Sequence, residues 1–154
     1  MLRADGRRAG RGALVTSVDT GLRLFGESAR GEIFRRLHPD WQTDQDKAVR
    51  SVLADPAMQL WVAEAATGLV GFVAAKLDSV SLVGEIYMLA VDPAAQDQGM
   101  GTTLTQLATD WLRTSGMRVA MIDTGGDPGH APARRVYEKA EYTLLPIARY
   151  FKAL

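Results

Sequence analysis

The chain of 154 residues contains no cysteine and only two histidines. Without thiols it can form no disulfide, use no thiolate nucleophile and offer no cysteine ligand to zinc. His38 and His130 are far apart in the sequence, and neither has a second ligand at metal-site spacing. The sequence therefore excludes thiol chemistry, and we expect no metal centre.

The sequence also lacks an excess of charge of either sign, and it lacks long apolar runs. Eighteen basic residues balance 18 acidic ones, so the overall field favours neither nucleic acid nor an anionic membrane as a partner. No apolar run could span a bilayer, and the basic residues 1–12 lead into no signal-peptide core. We therefore expect a cytoplasmic protein. With 47% hydrophobic residues, a single domain over residues 1–154 is the expected organisation.

Hydrophobic periodicity predicts helices first, then a sheet, then a strand–helix–strand crossover. The predicted helices are residues 14–22, 33–37, 44–53, 101–116 and 131–140. The predicted strands are residues 58–65 and 69–77, which form a hairpin, and then 83–91, 118–122, 142–145 and 148–151. This order predicts an α/β (α+β) fold with a mixed, mostly antiparallel central sheet.

A glycine pair, Gly99 and Gly101, lies between a predicted strand and an amphipathic helix. A helix N-terminus presents unpaired N–H groups and a positive dipole end, which bind anions, and glycine lets a diphosphate approach the main chain. The pair fits neither the dinucleotide fingerprint nor the Walker loop. A lone G-x-G is at least as often a plain turn, so the pair by itself leaves both interpretations open.

Three segments together resemble the GNAT superfamily of acyl-CoA-dependent N-acetyltransferases. They are the strand end "MLAVDP", the loop "QDQGMG" at residues 96–101 and "HAPARRVYEKAEY" at residues 130–142. The resemblance covers residues 62–154 and implies strands that splay apart at an acyl-CoA site. It also implies direct transfer of the acetyl group from acetyl-CoA to a primary amine in a ternary complex.

The resemblance places the coenzyme against the loop, the end of the preceding strand and the last helix. Gln96, Gly99 and Gly101 match the family's pyrophosphate loop. His130 stands where the family commonly has an asparagine, and a helix-start residue that bonds a nearby backbone group is the equal alternative. The implied coenzyme-binding residues are Leu89, Ala90, Val91, Gln96, Asp97, Gln98, Gly99, Met100, Gly101, Thr102, His130, Ala133 and Tyr137.

Glu85 and Tyr137 are the candidate catalytic residues. An alkyl ammonium is almost fully protonated at neutral pH, so a base must remove a proton before the amine can attack a thioester. Glu85 lies early in the strand that would hold the coenzyme, and histone-acetylating members of the family resemble this stretch. Tyr137 matches the family's tyrosine that donates to the departing thiolate. A solvent-facing carboxylate and a packing tyrosine are the alternatives.

The acceptor site is less determined. Trp41 and Tyr87 are candidate acceptor-binding residues, although Trp41 could equally anchor its loop by packing. Glu141 replaces the family's glycine after the last helix, which predicts a strained or redrawn turn. We expect a small-molecule or peptide amine as partner, no nucleic acid or membrane, and leave a homodimer open. The alternative function is a catalytically silent acyl-CoA-binding module that regulates a partner.

Overall fold

One sheet organises the protein in the computed structural model, which describes residues 2–3, 29–66 and 68–154. In these residues the strands follow sequence order across the sheet. They are β1 (Leu2–Arg3), β2 (Gln59–Ala65), β3 (Gly68–Asp78), β4 (Val83–Val91) and β5 (Val119–Ile122). The first four strands are antiparallel to their neighbours, and β5 runs parallel to β4. The predicted mixed, mostly antiparallel sheet is confirmed.

Helices precede the sheet and connect its later strands. They are α1 (Ala29–Leu37), α2 (Trp41–Ala54), α3 (Met100–Thr114) and α4 (Ala131–Lys139). Asp40 starts α2, because its carboxylate accepts a hydrogen bond from the Thr43 N–H. Each of these helices matches a predicted segment. The helix predicted over residues 14–22 lies outside the described residues.

The hydrophobic core lies between the sheet and α3. Its buried side chains alternate along the strands and repeat at helical spacing on α3. They include Trp61, Ala63, Val70, Val73, Ala75 and Ile86 from the sheet, and Leu104, Ala108 and Leu112 from α3. The rings of Trp61 and Trp111 meet edge to face, with centroids 5.4 Å apart. This packing fixes α3, and therefore its N-terminus, against the sheet.

A β-bulge interrupts β4 at Tyr87. Ala74 of β3 lies opposite Met88, whereas the next residue, Ala75, lies opposite Ile86, so Tyr87 is the extra residue. Ile86 is buried, and Tyr87 is 47% exposed. The bulge therefore turns Tyr87 out of the regular pairing at the middle of the strand.

The two predicted closing strands, residues 142–145 and 148–151, are wrong. Residues 143–154 form no helix or strand, and the apolar side chains of Leu144, Ile147 and Tyr150 are largely exposed. Apolar alternation gives a segment strand propensity, but a strand also needs a partner edge, and Pro146 removes one N–H donor. At the chain end, the Arg36 guanidinium donates instead to the Leu154 carbonyl oxygen, 3.0 Å away.

Candidate functional site

β4 and the edge strand β5 pair only over the first four residues of β4. Val83 to Ile86 lie beside Val119 to Ile122, whereas residues 87–91 continue past the end of β5. Residues 88–91 stay paired with β3, but no described strand covers their other side. The resemblance implied that the strands splay apart at this end of β4, and the end of the pairing with β5 before residues 89–91 agrees with it. The main-chain groups on this side of β4 have no described strand to pair with, so a ligand could pair with them.

The loop that leaves β4 is held by its own side chains. Asp92 accepts a hydrogen bond from the Ala94 N–H at 2.8 Å, which starts a short 3-10 turn. The Gln96 amide donates to the Val91 carbonyl oxygen at 3.1 Å, and Gln98 donates to the Ala94 oxygen at 3.2 Å. These bonds hold the loop against the divergent end of β4.

The N-terminus of α3 lacks a capping side chain. Gly99 is the N-cap residue and adopts left-handed backbone with φ +80°. No side chain of the described residues bonds the first-turn N–H groups, and no acidic residue lies in that turn. Together with the helix dipole, residues 100–102 therefore present an anion-binding arrangement.

The two glycines of this loop, Gly99 and Gly101, have different surroundings. An added Cβ at Gly99 would meet nothing within 4 Å. Glycine is therefore favoured at this position by its positive φ, and the open space leaves the backbone accessible to a ligand. A Cβ at Gly101 would lie 3.5 Å from Val136 of α4, in ordinary van der Waals contact. Asp97 also has positive φ, at +59°. Gly99 thus exposes backbone as predicted, whereas Gly101 lies against the last helix.

His130 begins α4 and is paired with a carboxylate. Its Nδ1 lies 2.6 Å from Asp127 Oδ2, and the other oxygen of Asp127 accepts from the Gly129 N–H at 2.8 Å. Burial acts to raise the pKa of Asp127, but the hydrogen bond and charge of His130 outweigh it and hold that pKa below 3.8. Arg134 braces the turn by donating to the Asp127 carbonyl oxygen at 2.8 Å.

Sequence reasoning missed Asp127 and Arg134. It left open whether His130 binds coenzyme or bonds a nearby backbone group, and the local partner in the structure is a side-chain carboxylate rather than the backbone. The coenzyme contact of His130 stays a prediction. The one available signal was the i, i+3 spacing of Asp127 and His130 at a helix start, which is typical of a local hydrogen bond. Ala133 lies half-buried in the first turns of the same helix.

Tyr137 lies half-buried on α4, and its ring packs near that of Tyr142, with centroids 6.5 Å apart. Burial, together with the neighbouring Tyr142, raises the pKa of Tyr137 above its usual 10.0. The phenol therefore keeps its proton at neutral pH and can act as a hydrogen-bond donor. The Tyr142 hydroxyl, by contrast, is already bonded to Thr109 Oγ1 at 2.7 Å.

Glu85 is paired with a lysine that the sequence analysis did not single out. Lys76 lies directly opposite on β3, and its Nζ is 2.8 Å from Glu85 Oε2. The same ammonium lies 4.5 Å from the centroid of the Tyr87 ring. Glu85 and Tyr87 thus share one cation. No hydrogen bond joins Glu85 to Tyr137 among the described residues.

The remaining expectations concern Glu141, Trp41 and a metal. Glu141 adopts left-handed backbone with φ +64°, so of the two predicted outcomes the turn is strained rather than redrawn, which costs about 1 kcal/mol for a residue other than glycine. Trp41 begins α2, but its side chain lies outside the described part of the chain. No cluster of potential metal ligands is found in residues 29–66 and 68–154. The helices of that part are all too short or too polar to cross a membrane.

A model of the Acetyltransferase (GNAT) family matches residues 27–142. The chain belongs to the GNAT family. The match spans α1 to α4 and includes both the divergent β4 and the uncapped start of α3. The GNAT resemblance and the fold class inferred from the sequence are confirmed. Acetyl-CoA is confirmed as the donor at the level of the family, which is one of acetyltransferases.

Similarity to known acetyltransferases supports this family membership. The chain is 38% identical to a mycothiol acetyltransferase of Sanguibacter keddieii over 109 residues, which are 66% of this chain and 33% of that protein. An aminoglycoside N-acetyltransferase solved in complex with CoA is similar in fold, with 17% identity, a TM-score of 0.58 and coverage of 79% of this chain and 94% of the other.

A second solved neighbour extends the likeness over the full length. An aminoglycoside 6'-N-acetyltransferase from Acinetobacter haemolyticus superposes with a TM-score of 0.59 at 14% identity, covering 100% of this chain and 98% of the other. At such identities the structural likeness concerns the fold. The chain spans only about a third of the length of the curated relatives it matches.

Proposed function

We propose that this GNAT protein is an acetyl-CoA-dependent N-acetyltransferase that acts on a primary amine. One juxtaposition carries the proposal: the uncovered end of β4 lies beside the uncapped N-terminus of α3. Main-chain groups on a divergent strand suit the amide-bearing pantetheine arm, and first-turn N–H groups suit a pyrophosphate. The residues present therefore fit both parts of coenzyme A.

Each part of the coenzyme has candidate partners in the chain. The N–H groups of residues 100–102 would hold the pyrophosphate, with room above Gly99 for its approach. Residues 89–91 would pair with the pantetheine arm along the side that β5 leaves uncovered. Gln96 already bonds the Val91 carbonyl oxygen, so its role is to hold the loop against the strand.

The chemistry proposed for the site is direct transfer without an acyl-enzyme, since the chain has no cysteine nucleophile. Bound acetyl-CoA would supply the acetyl group as an activated thioester. Glu85 would take the proton from the acceptor ammonium, directly or through water, and leave a neutral amine. The amine nitrogen would then form a C–N bond to the acetyl carbon while the C–S bond of the thioester breaks. The Tyr137 hydroxyl, which keeps its proton at neutral pH, would give that proton to the departing sulfur and recover one from the nitrogen as the amide forms.

We propose a small molecule as the acceptor. The relatives described above are a mycothiol acetyltransferase and aminoglycoside acetyltransferases, which supports a small polar amine rather than a protein. Zero net charge gives no sign of a nucleic-acid partner. The single domain over residues 1–154, the cytoplasmic location and the homodimer left open by the sequence stay predictions.

The ion pair of Lys76 and Glu85 supports a second candidate, a silent acyl-CoA-binding module. In the structure the proposed base already holds an ammonium 2.8 Å from one carboxylate oxygen. A binding module would take up acetyl-CoA and release no CoA thiol with any amine. An enzyme would release thiol in proportion to the acetylated amine. A thiol-release assay on a broad panel of amines, aminoglycosides included, therefore separates the two.

A calorimetric titration with acetyl-CoA tests the site that both candidates require. We expect binding by the unmodified protein and none by Gly99→Glu, which places a carboxylate where the pyrophosphate would lie. Gly99→Asn is the matched control, because asparagine tolerates positive φ and adds no charge. Gln106→Glu adds the same charge farther along α3 and should bind normally. Failure of the unmodified protein to bind at millimolar acetyl-CoA would refute the proposal.

A further inference from the structure

The contact of Lys76 with Glu85 and Tyr87 has the composition of an ammonium-binding site. A carboxylate oxygen lies 2.8 Å from the Lys76 Nζ, and the Tyr87 ring centroid lies 4.5 Å from it on another side. A carboxylate accepts charge-assisted hydrogen bonds from an alkyl ammonium ion, and an aromatic face attracts the same ion by a cation–π interaction. The occupant here is a primary ammonium of the chain itself.

This site is built into the sheet. The β3–β4 register puts Lys76 directly opposite Glu85, and the bulge at Tyr87 turns the aromatic ring outward beside them. The side chains of Glu85 and Lys76 are 22% and 38% exposed, and Tyr87 is 47% exposed. A molecule from solvent can therefore reach all three.

We propose that Glu85 and Tyr87 bind the primary ammonium of the acceptor, and that Lys76 is an internal occupant which the acceptor must displace. This inference rests on the proposed function, because an acceptor exists only if the protein is an acetyltransferase. It specifies the acceptor as an alkyl primary amine and assigns Lys76 a regulatory role. The ammonium site itself does not require acetyl-CoA.

Displacement of Lys76 is feasible on physical grounds. An ion pair with both partners partly exposed is weak, and a lysine side chain has four rotatable bonds by which it can move into solvent. While Lys76 occupies the site, the apparent dissociation constant of any external amine is raised in inverse proportion to the fraction of sites that Lys76 leaves unoccupied. Removal of the Lys76 charge should therefore strengthen amine binding without touching the coenzyme loop.

The test uses n-butylammonium as the probe, with carbon-13 labelled tyrosine to follow the Tyr87 ring by NMR at constant ionic strength. The Tyr87 signal is assigned with Tyr87→Phe. In Lys76→Met we expect the dissociation constant for n-butylammonium to fall about fivefold. Lys76→Arg retains a cation and should stay within about twofold of the unmodified protein. Neutral n-butanol should shift the signal in neither protein.

The double variant Lys76→Met/Glu85→Gln should lose the gain, because it removes the carboxylate that holds the ammonium. An unchanged dissociation constant in Lys76→Met, or equal binding of n-butanol, would overturn the proposal. Thermal melting shows whether each variant is folded, and Lys76→Gln provides a second uncharged replacement. Acetyl-CoA calorimetry on the same proteins reports separately on the proposed function, so failure of one leaves the other measurable.

Discussion

Tyr137 and Tyr142 differ in the hydrogen bonding of their hydroxyl groups, although their ring centroids lie only 6.5 Å apart. Tyr142 uses its hydroxyl to bond Thr109, whereas no described residue bonds that of Tyr137. We expect Tyr137→Phe to lower kcat about 100-fold and leave acetyl-CoA binding unchanged, since a general acid contributes only to the chemical step. Steady-state thiol release and calorimetry measure the two effects. Tyr142→Phe is the control and should retain turnover while losing some thermal stability.

Asp127 predicts a pH dependence of stability. Because its pKa lies below 3.8 in the folded protein, its ionised form stabilises the fold at all pH values above 3.8. This contribution is lost as the pH falls through the lower, folded-state pKa. Asp127→Asn should therefore melt at a lower temperature than the unmodified protein at neutral pH, and the difference should shrink below pH 3.8.

The partner of Asp127 provides the control for that experiment. In a His130→Ala background the same Asp127→Asn change should cost less stability, because the hydrogen bond and charge of His130 that lower the pKa of Asp127 are absent. Equal losses in both backgrounds, or a loss that persists at low pH, would contradict the assignment of the pKa shift to this pair.

At the scale of elements, contact between β4 and α3 depends on the absence of a side chain at Gly84. An added Cβ there would lie 2.3 Å from Leu112 Cδ2. We expect Gly84→Ala to destabilise the fold by about 1–3 kcal/mol through overpacking. Urea denaturation measures the loss. Gly126→Ala, which meets no atom within 4 Å, should change stability little, and a comparable loss there would show a backbone effect instead.

The same elements show how far sequence patterns reach. β4 and α3 were predicted because their apolar residues follow the strand and helix periods over lengths that a core can bury. Residues 142–145 and 148–151 carry a similar alternation but form no strand. Pattern alone specifies which face of a strand is apolar, and a strand forms only where a partner edge is within reach.

At the scale of the whole molecule, the folded part and the C-terminal tail should differ in protease sensitivity. Arg149 and Lys152 are exposed in a segment without helix or strand, whereas Arg113 lies within α3. Within residues 29–154, limited trypsin digestion should therefore cut first after Arg149 or Lys152. Mass spectrometry of early time points identifies the sites. Cleavage after Arg113 at the same rate would show that the tail is protected or that α3 opens readily.

The sequence by itself determined the order of elements from residue 29 to the end of α4, the glycine loop and the family. These depend on local periodicity, backbone freedom and motif spacing, which a chain carries without its fold. It also singled out Gln96, Gly99 and Glu85 as candidate site residues, and these roles stay predictions. The partner that each side chain meets was not determined.

Only the tertiary structure decided those partners. Lys76 contacts Glu85 because of the β3–β4 register. Tyr87 lies beside them because of a β-bulge that no local sequence pattern predicts. The contact of Gly84 with Leu112 also depends on how distant segments pack. So does the absence of a strand in residues 143–154, which pair with no described strand. Cross-strand contacts arise from residues distant in sequence, so their geometry exists only after the chain has folded.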